Sequence, residues 1–119
     1  MARILIVDDE EMDRLLLAEV LQEAGHELLF APDGHQALKL WRNSSIDLVV
    51  TDIVMPDLSG PELARHLRPF FPKMKVLYIT GYTDSVIARH GLDEASVDIL
   101  QKPFTIGSLT SKVRQLLSA

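Results

Sequence analysis

Two apolar runs end in carboxylates. Ile4-Leu5-Ile6-Val7 is followed at once by Asp8, Asp9, Glu10 and Glu11, and Leu48-Val49-Val50-Thr51 is followed by Asp52. If both runs are strands of one sheet, Asp8, Asp9 and Asp52 meet at one edge. Two unit charges 4 Å apart repel by about 4 kcal/mol at an effective dielectric near 20. A hard divalent cation removes that cost, and an oxygen-only ligand set selects Mg2+ over zinc. Asp8 and Asp9 would hold the ion partly through water. Asp52 would serve both as ligand and as a nucleophile able to form an acyl phosphate. Thr80 ends one further strand-like run and Lys102 follows another, and a hydroxyl and an ammonium suit the remaining oxygens of a phosphoryl group. Phosphoryl transfer needs mainly positioning and charge stabilisation, so this set suffices. Taken singly, each residue has an ordinary reading: an acidic helix N-terminus, a cap, a strand threonine, a solvated lysine. Their convergence on one rim favours chemistry.

That convergence depends on the elements. Strand-like runs occur at Ile4–Val7, Glu27–Ala31, Ile46–Thr51, Lys75–Thr80 and Val97–Gln101. Several are apolar without alternation, as expected of strands covered on both faces. Between them lie segments of helical period. The first contains Leu15 to Ala24 and stops at Gly25. The second contains Ala37, Leu38, Leu40 and Trp41, with Asp33 as N-cap. The third starts at Pro61 and ends near Pro69 or Pro72. The fourth is capped by Thr83 or Asp84 and ends at Gly91. The last is built on Leu109, Val113, Leu116 and Leu117. Five strands alternating with five helices imply an α/β fold, a parallel sheet with helices on both faces. Ligands in such folds bind beyond the carboxyl ends of the strands, where Asp8, Asp9, Asp52, Thr80 and Lys102 all fall. Pro103 follows the lysine. A cis Lys102-Pro103 bond would turn the lysine back over the rim, but base rates favour trans.

The bulk properties narrow the class. A length of 119 residues, 47% of them apolar, fits one compact domain, residues 1–119. A net charge of −5 argues against nonspecific binding to nucleic acid or anionic membranes. The lack of cysteine excludes disulfides and thiolate chemistry, and fits a reducing cytoplasm. No signal-peptide core or membrane-length apolar run is present, so the expectation is a soluble cytoplasmic domain.

Four motifs in order, VDDE at Val7 to Glu10, TDIVMPDLSG from Thr51 to Gly60, ITGY from Ile79 to Tyr82 and QKPF from Gln101 to Phe104, identify a resemblance. The chain resembles the receiver domain of two-component response regulators over essentially its whole length. The resemblance implies a flavodoxin-like sheet of order 2-1-3-4-5. It implies phosphoryl transfer to Asp52 from the phosphohistidine of a histidine kinase or histidine phosphotransfer domain. It further implies Mg2+ at Asp8, Asp9, Asp52 and the backbone carbonyl of Val54, with Thr80 and Lys102 on the phosphoryl oxygens. Such a domain assists its own phosphorylation and dephosphorylation without being an enzyme in isolation. Many receivers carry an aromatic switch residue three positions before the lysine. Ile99 stands there in this chain, and Tyr82 is the candidate substitute.

The wording of MPDLSGPELARHL, VLYITGYTD and LQKPF resembles receivers at the C-terminal end of hybrid sensor histidine kinases. With no DNA-binding segment after the last helix, the expectation is a free-standing receiver or one belonging to such a kinase. Three alternatives fit less well. A haloacid dehalogenase-like phosphatase needs a second Asp two residues after its nucleophile, where this chain has Val54. A flavin or dinucleotide binder needs a glycine-rich turn where this chain has Asp8 to Glu11. A degenerate receiver acting only as a docking module would have no use for the complete set of site residues.

Overall fold

The structure, a computed structural model, describes residues 2–40, 45–81, 91–92 and 97–118. Its strands are β1 (Arg3–Val7), β2 (Glu27–Ala31), β3 (Leu48–Asp52), β4 (Lys75–Thr80) and β5 (Asp98–Gln101). Between and after them lie α1 (Glu11–Glu23), α2 (Gly34–Leu40), α3 (Gly60–Leu67) and a C-terminal helix, Ile106–Ser118. The strands form one parallel sheet of order β2-β1-β3-β4-β5, as the resemblance implies.

The unbroken apolar runs are explained by burial on both sides. In β1 and β3 alternate side chains point to opposite faces. Ile4, Ile6, Leu48 and Val50 pack with Leu17, Val20 and Leu21 of α1 and with Leu109, Val113 and Leu116 of the C-terminal helix. Leu5, Val7 and Val49 pack on the other face with Ala37 of α2 and Leu63 and Leu67 of α3. Complete burial of each such aliphatic side chain contributes about 1.5–3 kcal/mol. This two-sided packing holds the central strands, and therefore their carboxyl ends, in fixed register. No helix among the described residues is long and apolar enough to cross a membrane.

Local signals set the helix ends. Gly25 has φ +91°, its N–H donates to the Gln22 carbonyl, and the His26 N–H reaches that of Leu21, a Schellman ending. Asp33 accepts from the Gln36 N–H at 2.8 Å and so caps α2 as expected. The third helix starts on a signal the sequence reading did not use. Ser59 accepts from the Glu62 N–H, and the Glu62 side chain accepts from the Ser59 N–H, which makes a capping box with Pro61 behind it. Ser59→Ala is expected to lower unfolding stability by about 1 kcal/mol in urea titration, leaving the slope unchanged.

Two strands differ from expectation at their edges. β3 begins at Leu48 and continues through Asp52 instead of spanning Ile46–Thr51, and β5 begins at Asp98. Ile46 is buried but lies ahead of the ladder. The Trp41 position and the start of the expected fourth helix at Thr83 or Asp84 lie outside the described residues. Its expected end, Gly91, has φ +78°.

Candidate functional site

Asp8 and Asp52 come together because their strands are neighbours in register. Val7 pairs with Thr51, so the residues after them leave the sheet side by side. The Asp8 N–H still donates to the Ala31 carbonyl on β2 at 3.2 Å, which holds Asp8 as an extension of β1. Its Oδ1 accepts from the Glu10 N–H at 2.9 Å, turning the chain into α1, and Arg14 Nη1 donates to its carbonyl at 2.6 Å. Asp52, the last residue of β3, accepts from the Ile53 N–H through Oδ1 at 2.8 Å, and the Val54 N–H also donates to its carboxylate. Asp9 is exposed, whereas Asp8 and Asp52 are buried. Carboxylate oxygens of Asp8, Asp9 and Asp52 lie within 4.8 Å of one another.

Lys102 enters the same space from the end of β5. Its N–H donates to the Thr80 carbonyl at 2.8 Å, extending the β4–β5 ladder by one residue. The Lys102-Pro103 bond is cis, which corrects the trans bond expected from base rates. Lys102 Nζ lies 2.7 Å from Asp13 Oδ2, 3.4 Å from Asp52 Oδ2 and 3.6 Å from Asp8 Oδ2. Asp13 is thus a member of the cluster that the sequence reading missed. It lies in the first turn of α1, four residues after Asp9, so helical spacing was the signal that could have placed it near the rim.

Thr80 is fully buried at the end of β4, one residue past the Asp52–Ile79 pair. Ile99 pairs with Tyr78 in the ladder and packs with Ile53 and Tyr78, an aliphatic contact where many receivers have an aromatic ring. Tyr82, the proposed substitute, lies outside the described residues.

The electrostatics follow from burial. Desolvation pushes the Asp8 carboxyl up to about 6, against the Glu10 N–H and the Lys102 charge, while Asp52 and Asp13 add repulsion. Desolvation likewise raises Asp52, countered by Lys102 and by the backbone donors of Ile53 and Val54. For Lys102 desolvation acts downward, but the hydrogen bond to Asp13 and the charges of Asp52, Asp8 and Asp13 outweigh it and raise the ammonium above its ordinary range. Two buried carboxylates held near one another with an exposed third lack enough positive charge. The donor set is all oxygen and converges, which fits a hard divalent cation.

Comparison with known proteins agrees with this geometry. Residues 4–114 match the family model described as the response regulator receiver domain. The chain is 34% identical over 118 residues to the sensor kinase CckA of Brucella abortus, covering 98% of this chain and 12% of that protein. It is 30% identical over 119 residues to the response regulator receiver protein CpdR of the same organism, covering 100% of this chain and 99% of CpdR. Among solved structures, the receiver domain of the hybrid histidine kinase CckA superposes with a TM-score of 0.81 at 35% identity, covering 97% of this chain and 98% of that one. With the motifs, the sheet order and the acidic rim in agreement, the chain belongs to the response regulator receiver domain family of two-component signalling.

Proposed function

We propose that residues 1–119 act as one receiver unit in which Asp52 accepts a phosphoryl group from the phosphohistidine of a histidine kinase or a histidine phosphotransfer domain. The observation that carries this reading is that Asp52 lies against both the Asp8 and Asp9 carboxylates and the Lys102 ammonium. Oδ1 of Asp52 is fixed by the Ile53 N–H, so Oδ2 is the oxygen offered toward Lys102. The oxygen–phosphorus bond forms as the phosphorus–nitrogen bond of the donor breaks, and the imidazole nitrogen keeps that electron pair. Lys102 meets one phosphoryl oxygen as a point charge, and Thr80 supplies a hydroxyl to another. Asp8, Asp9, Asp52 and the Val54 carbonyl would hold Mg2+, which when bound supplies positive charge against the oxygens of the transferred group. Phosphorylation then shifts the population between two surface states around the rim loops.

The phosphatase alternative lacks its acid, because Val54 stands where the second Asp would be. CpdR is spanned almost entirely by such a unit, whereas in CckA the matching region is a small part of a longer sensor kinase.

The test is incorporation of one phosphoryl group from a small acyl phosphate, read by intact mass with and without Mg2+; incorporation that ignores Mg2+ opposes the reading. A pH dependence follows from Asp8. A cation and a proton compete for its carboxylate, so Mg2+ affinity should climb as pH rises through about 6 and then level off. The stability effect without metal has the opposite sign. A carboxyl raised from 3.8 to about 6 favours the fold while protonated, and that contribution is lost as pH rises through about 6. Calorimetric titration at several pH values checks the first, and a flat affinity profile would contradict it.

A further inference from the structure

Lys102 is shared unequally among three carboxylates. Its nearest partner is Asp13 at 2.7 Å, with Asp52 at 3.4 Å and Asp8 at 3.6 Å. The two more distant partners belong to the trio that converges for a cation, and Asp13 does not. An ammonium resting wholly on Asp8 and Asp52 would neutralise the oxygens a divalent ion needs and would compete with it. Asp13 is half-buried in the first turn of α1, so its attraction for the ammonium is less screened than that of an open surface pair. It competes with Asp52 and Asp8 for the ammonium and lies nearer to it than either.

We propose that Asp13 is a positioning residue for Lys102: it holds the ammonium at the α1 side of the rim, so that Asp8 and Asp52 stay open to a divalent cation while the lysine remains within reach of a group on Asp52. This rests on the phosphoacceptor reading above. Without Asp13, Lys102 loses its closest carboxylate and settles on the other two. A carboxylate that acted only through its charge would help a cation equally with or without the lysine, so the two roles separate in a double-mutant cycle.

The experiment is calorimetric titration with MgCl2 of the wild type, Asp13→Asn, Lys102→Met, the double variant and Asp13→Glu. Asp13→Asn should weaken Mg2+ binding about five- to tenfold with Lys102 present, and about twofold or less when Lys102 is Met. Asp13→Glu should restore binding to within about twofold of the wild type. Equal losses in both backgrounds, or no loss from Asp13→Asn, would overturn the positioning role. A wild type that binds no Mg2+ would instead sink the phosphoacceptor reading itself, so the two failures are distinguishable.

Discussion

Asp52→Asn should incorporate no phosphoryl group from a small acyl phosphate under conditions where the wild type is labelled in the presence of Mg2+. The change is close to isosteric. The amide oxygen can still accept the Ile53 N–H bond that now ends on Oδ1, so the loop after β3 keeps its anchor. What disappears is the anionic nucleophile, and no amide oxygen replaces it at neutral pH. Stability should move the other way. Asp52 is buried, its carboxyl is raised chiefly by desolvation, and it adds to the repulsion on Asp8. Lys102 keeps Asp13 and Asp8 as partners. The variant should therefore unfold at an equal or higher urea concentration than the wild type without metal. Intact mass and urea titration together make the check, and continued labelling of the Asn variant would place the acceptor elsewhere.

Gly60→Ala should be the most damaging of the glycine-to-alanine substitutions. A Cβ at Gly60 would lie 2.2 Å from the Asp52 carbonyl oxygen and 3.2 Å from both the Asp52 carbonyl carbon and Thr51 Cγ2. The main obstacle is backbone in a central strand, and it cannot rotate away as a side chain would. Gly60 is also the first residue of α3, and its N–H donates to the Ile53 carbonyl at 2.9 Å. Relief therefore requires α3 or the end of β3 to shift. Overpacking of this kind costs about 1–3 kcal/mol. A displacement of a reacting group by about 1 Å can slow a reaction about a hundredfold. Both urea stability and the phosphorylation rate should fall. Gly25→Ala is the control: it sits at φ +91° with nothing within 4 Å of its Cβ, so it should lose stability to backbone strain and keep its phosphorylation rate. Equal rate losses in the two variants would refute the argument.

The parts of the molecule legible from sequence were those set by periodicity. Leu48, Val49 and Val50 form an unbroken apolar run because α1 and the C-terminal helix cover one face while α2 and α3 cover the other. Such runs identify central parallel strands, and the strand ends then placed Asp8, Asp52 and Lys102 at one rim. Edges were less legible. β3 reaches Asp52 because its ladder with β4 continues to Ile79, a pairing that depends on a partner far along the chain. Asp13 was missed for a related reason. An acid in the first turn of a helix is ordinary, and only the approach of β5 gives it a lysine. The Ser59 capping box was readable but was overshadowed by Pro61, which marks the same boundary. The cis Lys102-Pro103 bond was not, since local sequence leaves both isomers open.

The order of the sheet has a consequence during synthesis. β1 lies beside β3, although α1, β2 and α2 separate them along the chain. A growing polypeptide that has released only β1, α1 and β2 already carries Asp8 and Asp9 but lacks Asp52, the third member of the converging trio. On the proposed phosphoacceptor reading, competence to receive a phosphoryl group would emerge only when β3 inserts beside β1.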